Sequence, residues 1–382
     1  MERYDVVVIG GSAAGLSAAR AAAEAGCRTL VLEMRASVGG LTHRILCSAR
    51  SVKDFRQAVI DRPETLRLVC GRKAVEIAGR FAIVDCSLLL RGLAVGAASA
   101  GAEIWISSPV TDLLVERDRA VGVIVTGGGW REEIRAGCLI DASGASGEWS
   151  SVFARRMLGR GWPRDRLAFT CEYVMANADC RAAEIHFSSY SAPGGFGWIF
   201  PAGEGMASVG VTGMRMHPAT AIDEFIGRLS SPALAQASPV VSVKTARPVE
   251  PLEKTWVPGI VSVGRAAGQC PPLAVNTLRY EIGCGRMAGR AAGEASLSGD
   301  PGKLAEYDSG WRKVYGGELE NYAGLWRDLG FMHDRKVSGL LELIERSGDI
   351  REDFLRVLLA DDPGRALQRL VSSGEVRRIL DR

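Results

Sequence analysis

The sequence has few of the residues from which metal sites and nucleic-acid surfaces are built. Only 4 of its 382 residues are histidines, and none of them is spaced as a ligand pair with another donor. Its 9 cysteines form no Cys-x-x-Cys pair, so we expect no metal site. The net charge is only +3 and the basic residues are dispersed. We therefore expect no nucleic-acid partner.

Long apolar runs are missing as well. None reaches the ~18 residues that a membrane-spanning helix needs, although peripheral contact with a membrane stays open. The first apolar strand begins close to the N-terminus, so we expect no signal peptide. An odd number of cysteines in mostly apolar surroundings is typical of reduced thiols. These observations predict a cytoplasmic protein.

The sequence does contain, at its start, a strand, a glycine turn, a helix and a second strand in direct succession. Residues 4–9 form an apolar, β-branched run that is typical of a buried parallel strand. Residues 10–15, Gly-Gly-Ser-Ala-Ala-Gly, follow at once, and an alanine-rich helix is predicted over 16–25. A second strand is predicted over 27–32, with Glu33 at its end. This order of elements is typical of a dinucleotide-binding unit.

The glycine turn supplies what a pyrophosphate needs. Gly10 permits a sharp exit from the strand, Gly15 permits close packing of the helix, and the amides that open the helix favour an anion. Ser12 stands where a second glycine is usual, so we expect the approach of the pyrophosphate to be crowded but not blocked. Glu33 would accept hydrogen bonds from the adenosine ribose. The predicted nucleotide site comprises Gly10, Ser12, Ala13, Ala14, Gly15, Glu33, Met34, Arg35 and Val110.

The rest of the chain predicts an α/β protein with an inserted sheet. Residues 1–165 and 251–298 are expected to form a doubly wound, Rossmann-like domain, 166–250 an inserted antiparallel β-sheet domain, and 299–382 a helical C-terminal region. Within this plan we expect a polar helix over 50–60 and a single buried strand over 256–263. Strands over 103–107, 110–116 and 121–125 are expected to form a three-stranded meander.

Two later stretches carry recognisable patterns. Residues 193–210, PGGFGWIFPAGEGMASVG, place Phe196, Trp198 and Phe200 at alternate positions, and therefore on one face, of a strand. Residues 261–289, VSVGRAAGQCPPLAVNTLRYEIGCGRMAG, predict a strand, a proline-containing loop and a helix. Together with the dinucleotide unit, these stretches resemble the geranylgeranyl reductase family, within the flavoproteins that are similar to p-hydroxybenzoate hydroxylase. The resemblance covers roughly residues 1 to 300.

The resemblance implies an FAD-binding domain over 1–165 and 251–298, and a substrate domain over 166–250. It implies a pocket wall at Phe196, Trp198 and Phe200, although such a stripe is also typical of plain core. It implies that Cys47 is a catalytic thiol, made reactive by the nearby His43 and Arg44; the alternative is a small buried hydrophobic residue. The further FAD-binding residues that it implies are Gly264, Arg265, Asn276 and Thr277.

Some positions depart from the family pattern. Arg265 replaces an aspartate that holds a hydroxyl of FAD, and an arginine cannot accept a hydrogen bond, although it could pair with the pyrophosphate. Ser143 replaces the aspartate of the hydroxylases' Asp-Gly segment, a loss for which Asp141 could compensate. Cys86 replaces an arginine. These departures predict weaker FAD binding or a changed binding mode.

The leading functional hypothesis is an FAD-dependent reduction of carbon–carbon double bonds in an isoprenoid or another long apolar substrate, small molecule or lipid. Reduced flavin would deliver the hydride, and the electron donor stays open between NAD(P)H, ferredoxin and another carrier. One alternative is a flavin-dependent monooxygenase or halogenase of the same fold. The other is a non-redox binding or partner protein on a flavoprotein scaffold.

Overall fold

The computed structural model describes residues 3–40, 42–127, 129–146, 150–229, 231–329 and 333–380. Its strands are β1 (Arg3–Ile9), β2 (Thr29–Leu32), β3 (Arg44–Ser48), β4 (Val59–Asp61), β5 (Thr65–Cys70), β6 (Lys73–Ala78), β7 (Phe81–Asp85), β8 (Glu103–Trp105), β9 (Val110–Glu116), β10 (Arg119–Gly127), β11 (Trp130–Asp141), β12 (Leu167–Ala176), β13 (Ala183–His186), β14 (Phe196–Pro201), β15 (Met206–Gly213), β16 (Ser238–Pro248), β17 (Trp256–Val257) and β18 (Ile260–Ser262). Its α-helices are α1 (Ala13–Glu24), α2 (Cys86–Ser99), α3 (Val152–Met157), α4 (Pro218–Arg228), α5 (Leu278–Ser298), α6 (Leu304–Trp311), α7 (Gly317–Leu329), α8 (Asp334–Arg346), α9 (Gly348–Leu358), α10 (Gly364–Ser372) and α11 (Gly374–Leu380).

The first sheet carries the dinucleotide unit. Strands β18, β11, β1, β2 and β8 pair in parallel in that order, with β17 antiparallel at one edge. Successive side chains of β1 point to opposite faces. Val6 and Val8 pack with α1 and α5, whereas Val7 and Ile9 pack with the meander β9–β10–β11. Both faces of β1 are therefore covered, which explains its unbroken apolar run.

The second sheet has the order β16-β12-β15-β14-β13-β5-β6. All of its pairs are antiparallel except β13 with β5, which is parallel. One face packs against α4, through Ile222 and Phe225. The other face carries the even-numbered residues of β12, β14 and β15 and turns toward the first sheet. A small third sheet, β3-β7-β4, lies between the two.

Several sequence predictions need correction. The second sheet also takes β5 and β6, from residues 65–78, and so extends beyond the segment 166–250. The strand at 103–107 is β8, which joins the parallel sheet beside β2, and the third strand of the meander is β11. Residues 256–263 form the hairpin of β17 and β18, with a turn at Gly259. The polar helix over 50–60 is only a 3₁₀ segment, Lys53–Ala58, because Val59 already pairs with β7.

The helical C-terminal region is confirmed as α6 to α11, with a short π-helical segment, Arg312–Gly316, between α6 and α7. Helices α8 and α9 pack against one another, and α8 also lies on β5 and β6. Trp326 of α7 donates its indole N–H to the carbonyl of Gly194, 2.9 Å away. Helix α7 is thereby joined to the second sheet. Within the described ranges, no helix combines the length and the apolar character that crossing a bilayer requires.

Candidate cofactor groove and adjoining aromatic cavity

A long groove opens at the carboxyl ends of β1, β2 and β11, the place where parallel α/β sheets bind ligands. Its wall begins at the glycine turn between β1 and α1. Gly10 has φ +100°, and a Cβ there would lie 2.7 Å from the carbonyl oxygen of Ala142. A Cβ on Gly15 would lie 2.1 Å from the carbonyl oxygen of Gly10. Both positions therefore require glycine, as the sequence predicted.

The start of α1 presents backbone amides to the groove. Ser12 is the N-cap: its hydroxyl accepts from the amide of Gly15 at 3.2 Å and donates to the carbonyl of Ala142 at 3.1 Å. Its oxygen is therefore committed to the turn. The amides of Ala13 and Ala14 belong to the first turn, where no intrahelical acceptor exists. They are left for an anion, together with the positive end of the helix dipole.

Glu33 stands at the ribose end of the groove. One carboxylate oxygen accepts from the amide of Gly11 at 2.8 Å, and the other accepts from the amide of Arg35 at 2.9 Å. Each oxygen can accept more than one hydrogen bond. The carboxylate is thus fixed in orientation by the backbone and keeps acceptor capacity for a ribose.

The structure divides the predicted cofactor residues into two groups. Those that line the groove are Gly10, Ser12, Ala13, Glu33, Met34, Arg35, Val110, Arg265 and Thr277. Those that lie behind its wall are Ala14, Gly15, Gly264 and Asn276. The second group acts through packing and backbone. For example, a Cβ on Gly264 would lie 2.8 Å from the Cβ of Ala14, so the turn after β18 sits directly on α1.

At the far end of the groove, Arg265 forms an ion pair with the carboxylate of Glu281, a residue of α5. The Nε–Oε1 distance is 3.2 Å, and the hydroxyl of Thr277 donates to the same oxygen at 2.7 Å. Glu281 is only 7% exposed and also lines the groove. An acid is therefore present beside position 265 after all, but it comes from the helix.

The suggestion that Asp141 compensates for the aspartate replaced by Ser143 is wrong. Asp141 is fully buried and does not line the groove. Its carboxylate accepts from the amide and hydroxyl of Ser143 and from the amide of Phe153, at the start of α3. Burial raises the pKa of Asp141, against the effect of these hydrogen bonds. The carboxylate thus holds the turn after β11 and is not available to a ligand.

A second space, which we call the aromatic cavity, adjoins the groove. One wall of it is formed by Phe196, Trp198 and Phe200. The ring centroids of Phe196 and Trp198 are 6.2 Å apart, and those of Trp198 and Phe200 are 6.0 Å apart. The predicted alternation is confirmed, since all three side chains share one face of β14. The residues that line both spaces are His43, Ile45, Thr245, Arg265 and Thr277. The two spaces therefore lie next to one another and share part of their walls.

Between the two spaces lies a buried polar network centred on Glu172 of β12. Its carboxylate is fully buried and lies 2.8 Å from Nδ1 of His43. It also accepts from the amide of Arg44 at 3.2 Å and from the hydroxyl of Ser208 at 3.0 Å. Ser208 in turn accepts from the indole N–H of Trp198 at 3.0 Å. One carboxylate thus connects the aromatic wall with the loop that precedes β3.

Three arginines border the aromatic cavity, and each has a different partner. Arg44 pairs with Asp85 at 3.0 Å and with Glu172 at 3.7 Å, and Arg265 pairs with Glu281. Arg247 donates to two backbone carbonyls, those of Pro272 at 2.7 Å and Ala274 at 3.0 Å. Burial lowers the pKa of Arg247 to about 10. It clamps the loop before α5 against the second sheet.

Cys47, the predicted catalytic thiol, lines neither space. It is fully buried in an apolar cluster with Ala13, Val84 and Leu278. Burial raises the pKa of its thiol above the ordinary range, and its sulfur accepts from the side-chain amide of Asn276 at 3.3 Å. His43 and Arg44 contact the carboxylate of Glu172 and not this thiol. The geometry therefore favours the alternative, a buried packing residue.

The sequence analysis did not predict Glu172, Thr245 or Glu281 as site residues. Each comes from a strand or helix far along the chain from the glycine turn. Glu172 carried one usable signal: it is a lone acid within the otherwise uncharged strand Leu167–Ala176. An acid in such a strand is costly to bury without partners. His43 was noticed, but only as a neighbour of Cys47.

The described residues fit a flavin adenine dinucleotide. The glycine turn and the free amides suit its pyrophosphate, and Glu33 suits a ribose. At the far end of the groove, Arg265 offers donors and Glu281 an acceptor for the remaining polar groups. The aromatic cavity shares part of its lining with the groove. The fold and the groove together define an α/β flavoprotein with a second sheet over its cofactor.

Comparisons with known proteins agree with that class. The sequence model of the FAD dependent oxidoreductase family matches residues 5–148, and that of the geranylgeranyl reductase catalytic domain matches residues 167–246. A digeranylgeranylglycerophospholipid reductase of Methanothermobacter thermautotrophicus is 31% identical, over 90% of this chain and 92% of its own length. A reductase of the same name from Methanopyrus kandleri is 30% identical, over 97% and 96%.

Solved structures agree on the fold. A geranylgeranyl bacteriochlorophyll reductase-like protein from Thermoplasma acidophilum superposes with a TM-score of 0.84 at 23% identity, over 100% of this chain and 99% of its own. A flavin-dependent brominase superposes with a TM-score of 0.76 at 16% identity, over 97% and 98%. The chain belongs to the geranylgeranyl reductase family, and it is an FAD-dependent oxidoreductase. The predicted family, fold class and cofactor are thereby confirmed.

Proposed function

We propose that this protein uses FAD to reduce carbon–carbon double bonds in the prenyl chains of a lipid. The observation that carries the proposal is the aromatic cavity, which lies beside the cofactor groove and shares His43, Thr245 and Thr277 with it. When bound and reduced, FAD supplies a hydride. The three aromatic side chains would hold an apolar chain by contact and exclude water from it.

A further cavity supports a long substrate. It lies beyond the loop 273–275, and its lining is mainly apolar. The lining residues are Phe187, Ser188, Ser189, Ala192, Gly195, Leu273, Leu325, Val337, Leu340, Leu341, Phe354, Val357 and Leu358. The loop that separates it from the aromatic cavity is held from both sides. The amide of Val275 donates to the carbonyl of Leu358 at 2.9 Å, and Arg247 holds the carbonyls of Pro272 and Ala274. An extended prenyl chain would have apolar walls on either side of this loop.

The names of the relatives support a phospholipid with two prenyl chains as substrate. Such a substrate resides in a bilayer, which supports peripheral contact of a cytoplasmic protein with the membrane. The electron donor stays a prediction, with NAD(P)H, ferredoxin and other low-potential carriers as candidates.

The test has two stages. The absorbance spectrum of the purified protein, and the cofactor released on denaturation, are expected to show stoichiometric FAD. The dithionite-reduced protein is then mixed anaerobically with digeranylgeranylglycerophospholipid in detergent micelles. We expect reoxidation of the flavin and a lipid that has gained two hydrogens for each reduced bond, measured by mass spectrometry.

Matched tryptophan variants locate the reaction. Trp198→Leu alters the cavity wall and is expected to slow reduction, whereas Trp130→Leu changes a residue that is 41% exposed and should behave as wild type. Cys47→Ala is expected to keep turnover. A protein that cannot bind FAD, or one that consumes oxygen and oxygenates or halogenates its substrate but leaves the double bonds intact, would refute the proposal.

A further inference from the structure

Alkene reduction requires a proton as well as a hydride, and the aromatic cavity offers few sources. Among the described residues that line it, the ionisable side chains are His43, Arg44, Arg247 and Arg265. A guanidinium does not release a proton at neutral pH. No cysteine is among those described lining residues: Cys47 borders neither space, and Cys86 borders only the groove. Imidazole is the side chain that exchanges a proton in this pH range.

His43 stands at the junction of the two spaces. Its side chain is 12% exposed, and it lines both the groove and the aromatic cavity. It belongs to the loop before β3, whereas its partners belong to the second sheet. Nε2 lies 3.0 Å from the hydroxyl of Thr245, which borders the same two spaces.

Glu172 fixes the tautomer and the orientation of this imidazole. Because a carboxylate can only accept, the 2.8 Å contact with Nδ1 places a proton on Nδ1 and directs Nε2 toward Thr245 and the cavity. Ser208 and the amide of Arg44 keep the carboxylate in place.

We propose that His43 donates the proton in the reduction, with Glu172 as its positioning residue. The inference rests on the proposed function. One alkene carbon would take a hydride from the reduced cofactor. The other would take the proton on Nε2 of protonated His43, directly or through the hydroxyl of Thr245, which leaves a neutral imidazole with its proton on Nδ1. The π bond breaks, two C–H bonds form, and the cofactor is oxidised by two electrons. The imidazole regains its proton from solvent through the groove.

The decisive experiment is anaerobic single turnover. Dithionite-reduced wild type and His43→Gln are mixed with digeranylgeranylglycerophospholipid in micelles, and flavin reoxidation is followed by absorbance. We expect the rate to fall about 100-fold in the variant, with FAD content and melting temperature unchanged. The matched control is His186→Gln. His186 has the same 2.8 Å contact with a glutamate, Glu184, and similar exposure, but it borders neither space.

The pH profile separates proton donation from a structural role. The wild-type rate should fall as pH rises and the imidazolium loses its proton, and this limb should be absent in His43→Gln. Glu172→Gln should slow the single turnover as well, because the contact that orients the imidazole is weakened. The other charged groups around His43 are Arg44 with Asp85, Arg265 with Glu281, and Arg247. Added imidazole should restore part of the rate to His43→Ala.

The outcomes are distinct. Equal single-turnover rates for wild type and His43→Gln would overturn the role of His43 and leave the proposed function intact. A pH limb that survives in His43→Gln would do the same. If the lipid fails to reoxidise the wild-type flavin, the proposed function falls and this inference falls with it.

Discussion

The cofactor groove and the aromatic cavity share part of a wall but are built differently. The nucleotide end of the groove comes mainly from one continuous segment, residues 9–35, with Val110 and residues 142–146 completing its wall. The aromatic cavity takes side chains from β3, β12, β14, β15 and β16 and from the loop before α5. Its polar side chains are partly or fully buried, and most of them are held by hydrogen bonds or ion pairs to residues from other elements.

This difference decides what each region tolerates. The groove is sensitive to any added atom, because its backbone segments already touch, but it is indifferent to most side-chain chemistry. The cavity accommodates side chains of several shapes, and the side chains that are present determine its chemistry. Substrate preference can therefore change in the cavity while the cofactor site stays the same.

The largest expected effect comes from one methyl group in the groove. In Gly15→Ala the new Cβ would lie 2.1 Å from the carbonyl oxygen of Gly10. The turn must move, so we expect a loss of about 3 kcal/mol in unfolding free energy and loss of bound FAD. Thermal melts and cofactor content measure both. Gly227→Ala in α4 is the control, since its Cβ would meet no atom within 4 Å. A Gly15→Ala protein with full FAD would contradict the backbone cradle.

A matched pair of glycines tests the cavity. Gly210 lies under the ring of Trp198, and a Cβ there would be 2.1 Å from the indole; Gly197 lies under Phe225 on the opposite face, at 2.6 Å. Alanine at either position should cost about 2 kcal/mol. We expect FAD to stay bound in both variants, but only Gly210→Ala to lose most of its alkene reduction, because the indole moves in the cavity. Equal activity in the two variants would show that Trp198 is merely packing.

The local parts of this architecture were predictable, and the long-range parts were not. The β1–turn–α1 unit was correctly predicted because its signals, an apolar run and spaced glycines, lie within one short segment. Strands β5 and β6 are short local elements, but nothing in their sequence indicates the parallel pairing of β5 with β13, more than a hundred residues later. The contact between His43 and Glu172 is equally remote. Cys47 is excluded from the site by its burial, which its position in the sequence does not indicate.

The junction of the two regions is tested by reversing one charge. Arg265→Asp restores the acid of the family pattern but sets it beside a second carboxylate, that of Glu281, and like charges at that distance repel. We expect FAD affinity, measured by quenching of flavin fluorescence, to fall about tenfold, a change of ~1.4 kcal/mol. Adding Glu281→Gln should restore most of it. Arg20→Asp, beside Glu24 on the exposed side of α1, is the control. An unchanged affinity in Arg265→Asp would mean that this pair takes no part in cofactor binding.

The smallest expected effect concerns the attachment of β5 to the second sheet. Glu184 of β13 contacts Arg67 of β5 and also His186, in its own strand. The hydrogen bond from His186 is the main reason that the pKa of Glu184 is lowered. A carboxyl with a lowered pKa stabilises the fold above its unfolded pKa of about 4.3. That stability is lost as pH falls through the folded value. Glu184→Gln should therefore be about 1 kcal/mol less stable than wild type at pH 7. In urea titrations the two proteins should converge below about pH 4. A difference that persists in acid would assign the effect to packing and not to charge.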